Sequence, residues 1–350
     1  MKFIVDFHIH SHYSRATSKK LTPEHLDHYA KIKGINVIGT GDCIHPGWFS
    51  ELKEKLELAE NGLYKLKKEF QIPFTQNQYA KISQQEVYFL LTTEISSIYK
   101  KNNQVRKVHN VCVFPDFEAV SKMQDKLEKI GNIRSDGRPI LGLDAKILLE
   151  MLLEVDSDAY LIPAHIWTPW FAVLGSKSGF NSIEECFDDL TPYIFAVETG
   201  LSSDPPMNRV CSFLDKFRLV SNSDAHSLDK LGREANLFDT ALSYNSILAS
   251  LKYDNGFLGT IEFFPQEGKY HYDGHRLCNV VCNPLETVRH QGICPVCHKP
   301  LTKGVMYRVA ELADRKVEDI PEFNQQHYSI TPLLQILVEI VGVKSSSSTK

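Results

Sequence analysis

Near its start the chain places two imidazoles two residues apart, in Asp6-Phe7-His8-Ile9-His10. The segment is patterned as a buried strand, and side chains alternate along a strand, so Asp6, His8 and His10 share one face. Two imidazoles converging from one rigid element are the beginning of a metal site. The same spacing returns far downstream in Asp224-Ala225-His226. Between them lie Asp42, in Gly39-Thr40-Gly41-Asp42-Cys43-Ile44-His45, Glu94 at the end of an apolar run, His109, His165 and Glu198. Each alone has an ordinary explanation: a histidine satisfied in the core, a cap in the case of Asp42, a carboxylate reaching water. Together they repeat one pattern, a short strand followed by a His or an acid, which argues for a shared centre. Imidazole with carboxylate suits zinc, manganese or iron, and bridging carboxylates imply more than one ion.

A second group is of different chemistry. Cys278-x3-Cys282-x11-Cys294-x2-Cys297 offers four thiolates in two short-spaced pairs, the pattern of a tetrahedral structural zinc with no open position for catalysis. Metal binding of this kind supplies ~10–16 kcal/mol to the folding of a small module. Cys43, Cys112, Cys186 and Cys211 are scattered singly and read as small core residues.

The elements that must position these groups alternate. Strands are expected at Phe3–His10, Val37–Gly41, Val87–Glu94, Val108–Phe114, Ala159–Ala164, Phe195–Thr199, Arg218–Ser221 and Gly259–Phe263. Amphipathic helices are expected at Pro23–Lys33, Trp48–Phe70, Glu118–Gly131, Ala145–Val155 and Ile183–Leu190. Such alternation points to an α/β barrel of parallel strands, with the proposed ligands near the strands' C-terminal ends, where barrel sites are built. His109 is the exception, at the start of its strand. The expected organisation is a catalytic barrel over 1–265, a zinc-binding module over 266–318, a helical segment over 319–344 and a disordered tail over 345–350. The 350 residues carry a net charge of −4, which excludes a basic wrapper of nucleic acid but not a nuclease with a local basic cleft. No signal peptide or membrane span is evident, so a cytoplasmic location is expected.

At this point the chain resembles a family. The motifs Asp6-Phe-His-Ile-His10, Thr40-Gly-Asp42, Glu94, His109, His165 and Asp224-Ala-His226 are similar to those of the polymerase-and-histidinol-phosphatase (PHP) superfamily. More narrowly, Tyr13-Ser-Arg-Ala-Thr17, Gly41-Asp-Cys-Ile-His-Pro-Gly-Trp48, Arg134-Ser-Asp-Gly-Arg-Pro139, His165-Ile-Trp-Thr-Pro-Trp170 and Leu201-Ser-Ser-Asp-Pro205 resemble the endonuclease Q family. The resemblance covers about residues 1–340. It implies a distorted (β/α)7 barrel with an appended four-cysteine zinc-binding module and a C-terminal helical segment.

It also implies two or three catalytic divalent metals (Zn2+, Mn2+ or Mg2+) beside the structural Zn2+. The implied activity is cleavage of DNA on the 5′ side of deaminated bases (hypoxanthine, uracil, xanthine) and abasic sites. The implied metal ligands are His8, His10, Asp42, Glu94, His109, His165, Asp224 and His226. Asp224, Glu94 and Glu198 carry the chemistry, Glu94 as a bridge and Glu198 as a ligand or an orienting residue. Arg15, Arg134 and Arg138 are read as DNA contacts. Trp167, Trp170 and Phe171 could stack on an extruded base or simply pack the core.

The implied partners are damaged DNA, double- or single-stranded, and repair factors such as a sliding clamp, on the nucleoid. Two departures stand out. Many PHP proteins have Thr-Asp-His where this chain has Thr40-Gly41-Asp42, and Arg15 and Ala16 occupy the region of an early acidic residue. Family members continue past Gly342-Val-Lys, so a longer chain is expected. The alternatives are a PHP phosphatase of small phosphomonoesters and a non-catalytic DNA-binding scaffold.

Overall fold

The computed structural model describes residues 1–74, 85–253 and 255–342; the tail expected at 345–350 lies outside the described residues. In chain order the elements begin with β1 (Lys2–Asp6), α1 (Pro23–Lys33), β2 (Val37–Gly39), α2 (Pro46–Lys55), β3 (Leu56–Leu58) and β4 (Tyr64–Leu66). There follow β5 (Tyr88–Lys101), β6 (Gln104–Phe114), α3 (Phe117–Leu127), β7 (Ile140–Leu141), α4 (Ala145–Val155) and β8 (Tyr160–Pro163). The barrel is completed by α5 (Ile183–Phe187), β9 (Ala196–Glu198), α6 (Pro205–Arg209), β10 (Arg218–Val220), β11 (Ala235–Asp239), α7 (Tyr244–Tyr253) and β12 (Phe257–Glu262).

All eight expected strands form, but they are not all parallel. β1, β2 and β5 run parallel, whereas β5–β6, β6–β8, β1–β11 and β11–β12 are antiparallel. The reason lies in the β5–β6 connection. Asn102 and Asn103 both take positive φ (+54° and +58°), and Lys101 pairs with Gln104, which is a two-residue hairpin turn of the type Asn favours. The result is a distorted barrel of mixed strands. β9 and β10 pair in parallel as a separate ribbon. They are stitched back by Asn236 of β11, whose side-chain amide donates to Val5 O and Ser221 O.

The helices that the sequence bounded well are those with clear caps. α4 is capped by Asp144, which accepts from Lys146 N, and buries Leu148, Leu149, Leu152 and Val155 along one stripe. The helix expected over Trp48–Phe70 stops at Lys55. Beyond it, Leu56-Glu57-Leu58 alternates as a strand and turns back through Gly62 (φ +74°) into β4.

After β12 come β13 (Asp273–His275), β14 (Val280–Cys282), α8 (Pro284–Arg289), α9 (Val305–Leu312), β15 (Gln326–Ser329) and α10 (Leu333–Val341). The segment expected to be helical over 319–344 therefore also contains a strand, and β15 adds in parallel to β12 of the barrel sheet. Among the described residues no helix is long and apolar enough to cross a membrane.

Candidate metal centre

His8 and His10 lie just past the end of β1, in an extended stretch held by His10 N–H donating to Ala225 O (3.1 Å). Their Nε2 atoms turn into the barrel mouth. Glu94 on β5 and His109 on β6 meet there because of register: His109 pairs with Ser96, two residues from Glu94 and on its face. His109 Nδ1 lies 2.6 Å from Glu94 Oε1, and His165 Nε2 lies 3.2 Å from the same oxygen. Asp224 Oδ1 lies 3.1 Å from His10 Nε2.

Three overlapping groups result, His8–His10–Glu94, Glu94–His109–His165 and His10–Asp224–His226, in each of which the ligand atoms all fall within 4.8 Å of one another. Glu94 and His10 each belong to two. Asp42, His165 and Asp224 hold left-handed backbone (φ +51°, +28° and +45°), strain of the kind that clusters at functional sites. Gly200 is required beside His165, since a Cβ there would lie 2.6 Å from the His165 Cβ.

The donor set fits divalent cations. His8 Nε2 is buried without a hydrogen-bond partner, facing Glu94 Oε1 and Asp224 Oδ1, each at 3.7 Å. Asp42, Glu94, Glu198 and Asp224 crowd together, and the one fixed cation bonded to their carboxylates among the described residues is Arg138, whose Nη1 donates to Glu94 Oε2 (3.0 Å). Burial of so much negative charge demands compensation. Protonation behaviour reports the same field. Burial opposes charge on His10, yet its bonds to Asp224 and Asp42 push its pKa up to about 9. Burial would raise Glu94 and Asp224, but the neighbouring imidazoles, with Arg138 beside Glu94, hold both well below the usual carboxylate range. His109 is the exception: burial drives it down to about 4.

Several expected residues are elsewhere. Asp42 and Glu198 lie outside the three groups, behind His10 and His8 respectively. Arg15 is exposed and pairs with Asp136, and the Arg134 guanidinium pairs with Glu128 (2.5 Å). Trp167 is 1% exposed and donates to Asn208 Oδ1, so it packs the core, whereas Trp170 is 42% exposed. Two further histidines near the site, His12 and His45, are engaged elsewhere: His12 pairs with Glu51, and His45 caps α2. A cavity of about 750 Å³ opens beside the cluster, lined by His109, Arg138, Trp170, Phe171, Asp224 and Tyr270 among others. Arg233, Lys269 and Tyr270 also line it and carried no motif signal.

The second site brings a histidine to three of the expected cysteines. His275, Cys278, Cys294 and Cys297 gather with their ligand atoms within 4.8 Å, and Cys282 is not among them. Register explains this. On the β13–β14 hairpin Cys282 pairs with Asp273, at the far end from His275, and its side chain packs with Leu301 and Cys294. Asn279, at φ +53°, reverses the chain so that Cys278 returns to His275. The signal was present as His275-x2-Cys278, which mirrors Cys294-x2-Cys297.

No protein-family model matches the chain. Among solved structures, the lesion-specific endonuclease PfuEndoQ from Pyrococcus furiosus superposes with a TM-score of 0.82 at 30% identity, covering 100% of this chain and 80% of that one. An endonuclease Q bound to a 27-mer duplex, with an abasic lesion at its active site, gives 0.83 at 29% identity and covers 81% of that chain. This chain belongs to the endonuclease Q family. With it comes the PHP fold class and the activity of a nuclease. The uncharacterized protein YqxK of Bacillus subtilis is 29% identical over 343 residues, 81% of its length. An uncharacterized protein of Methanocaldococcus jannaschii is 30% identical over 203 residues, but the match spans only 25% of its length.

Beneath the centre sits a pair of buried acids. Glu262 accepts from Thr260 (2.5 Å), Ser221 (3.0 Å) and Thr199 (3.3 Å), the last two at the ends of the strands that carry the Asp224 loop and Glu198. Burial pushes Glu262 up to about 8, and burial together with the Glu262 charge raises Glu234 well above the carboxylate range. A raised folded-state pKa means that the native state binds the proton more tightly. The stability it contributes is full below the unfolded value near 4.5 and is lost as pH rises through about 8. Glu262→Gln is therefore expected to flatten the fall in melting temperature of the metal-free protein between those pH values; an unchanged slope would show that Glu262 is not protonated in the fold.

Proposed function

We propose that the protein is a DNA repair endonuclease that hydrolyses the phosphodiester on the 5′ side of abasic sites and of deaminated bases such as hypoxanthine, uracil and xanthine. The observation that carries this reading is the fused His–carboxylate cluster around Glu94, opening onto a cleft with aromatic and cationic walls. Divalent cations held by His8, His10, Glu94, His109, His165, Asp224 and His226 would neutralise the phosphate and lower the pKa of an attacking water toward ~7.

The chain's own groups do the rest. Arg138, its guanidinium bonded to Glu94 and partly open to the cleft, is suited to grip the phosphate under attack. Trp170 offers an exposed ring for stacking an extruded base, and unpairing is least costly at a mismatched or missing one. Phe171 packs against His109 at 4.6 Å between ring centroids and closes that wall. The His275–Cys297 group is assigned to a structural zinc. Damaged duplex DNA is the proposed partner, which puts the protein on the nucleoid; a sliding-clamp contact rests on the resemblance alone. The abasic lesion at the active site of the related endonuclease Q supports this reading.

The test is incubation of metal-loaded protein with end-labelled duplexes carrying an abasic site, uracil or hypoxanthine. A cut on the 5′ side of the lesion is expected. Hydrolysis of p-nitrophenyl phosphate with intact DNA would instead make it a phosphatase, and binding without cutting a scaffold.

A further inference from the structure

The two histidines that open the site are supported in the same way. His8 turns Nε2 toward Glu94 and Asp224, and its Nδ1 donates to Glu198 (3.1 and 3.2 Å to the two oxygens). His10 turns Nε2 toward Asp224 and Glu94, and its Nδ1 donates to Asp42 Oδ1 (3.1 Å). We infer that Asp42 and Glu198 are positioning residues: each holds the Nδ1–H of one histidine and so presents its Nε2 as the metal-binding atom, and neither is itself a metal ligand. This rests on the reading of the cluster as a metal centre.

The oxygens of both acids are already committed. Asp42 Oδ2 accepts from Ser11 N–H (2.7 Å), Ser11 Oγ (2.7 Å) and Ser14 Oγ (2.8 Å). Glu198 Oε1 accepts from Asn222 Nδ2 (2.8 Å) and Oε2 from His165 N–H (2.6 Å). Both acids are buried, with Asp42 at 0% exposure and Glu198 at 1%. Asp42 is also walled in from outside, because a Cβ on Gly137 would sit 2.3 Å from its Oδ2. The arrangement explains how Asp42 can stand where related PHP sequences carry a histidine. A ligating histidine must be neutral with its proton on the far nitrogen, and a carboxylate on that proton fixes both tautomer and ring plane.

The test measures affinity for Mn2+ and Zn2+ alone, by chelator competition on purified protein, for Asp42→Ala, Asp42→Asn, Glu198→Ala and Glu198→Gln. The alanine variants are expected to bind about 10–100-fold more weakly. Each amide keeps one oxygen that can accept from Nδ1–H but turns its N–H2 toward Ser11 N–H (Asp42→Asn) or His165 N–H (Glu198→Gln), so only part of that loss is expected to return. If either acid were a ligand, its amide would bind as poorly as its alanine, and that result overturns the inference for it; so does wild-type affinity in the alanine variants. Melting of the metal-free proteins separates misfolding from loss of a ligand: amide variants that melt like wild type yet bind metal no better than alanine count against the proposal. Because the probe is the metal ion, the outcome stands whether or not lesion-containing DNA is the substrate.

Discussion

Glu94→Gln is expected to lower cleavage of abasic-site DNA by at least about a thousandfold, equivalent to about 4 kcal/mol in the barrier, and to reduce the metal content of the purified protein. The expectation follows from where Glu94 sits. One oxygen faces His109 (2.6 Å), His165 (3.2 Å) and His8 (3.7 Å), and the other faces Arg138 (3.0 Å) and His10 (3.5 Å). It is the carboxylate common to two of the three ligand groups. Glutamine fills the same volume, but it removes a charge and turns an N–H2 toward imidazoles and a guanidinium that have no lone pair to spare when presenting N–H. The Arg138 guanidinium would then stand unpaired beside the bound cations, and its charge would oppose them. Asp224→Ala is a weaker lesion in this respect, because Asp224 joins only the His10–His226 group. Metal analysis, melting temperature and single-turnover cleavage on the same preparation decide the matter. Near-wild-type cutting by a folded Glu94→Gln protein would remove Glu94 from the centre of the mechanism.

How much of this was legible in the sequence depended on the range of the signal. The His-x-His and Asp-x-His pairs are local, and His8, His10, Asp224 and His226 all reach the cluster. Caps and stripes are local too, and α1 and α4 fall at their expected limits. Strand direction is not local: an Asn102-Asn103 turn of two residues decides that β6 runs back along β5, and it carries His109 in mid-strand to the mouth of the barrel. Asp42 shows the limit most clearly. Its type and position suit a ligand, and only the convergence of His10, Ser11 and Ser14 from the loop after β1 shows its oxygens to be taken. Trp167 and Trp170 are three residues apart in one loop, yet one packs against Asn208 and the other faces solvent. A loop has no periodicity from which to read such a difference.

The cysteine cluster yields the other large effect. His275→Ala is expected to release the metal of the module, whereas Cys282→Ser is expected to keep it. Removing one of four ligands leaves Cys278, Cys294 and Cys297 around a strong cation with an open position, and for a fold this small the metal's ~10–16 kcal/mol is most of its stability. Cys282 lies outside the His275–Cys278–Cys294–Cys297 group and packs against Cys294 and Leu301. The consequence should reach the catalytic cleft. Gly274 and Thr302 exchange backbone hydrogen bonds, and α9 follows directly; its Arg308 donates to Leu174 O (3.0 Å) and Phe180 O (2.9 Å). Those contacts brace the loop in which Ser178 Oγ accepts from Phe171 N–H (3.2 Å), and Phe171 O in turn accepts from His109 N–H (3.0 Å). His275→Ala should therefore slow cleavage while the metals of the barrel site remain bound, with new proteolytic cuts between residues 270 and 304. Zinc content after exhaustive dialysis is the deciding measurement. Loss of zinc from Cys282→Ser with retention in His275→Ala would restore the four-thiolate site that the cysteine spacing alone suggests.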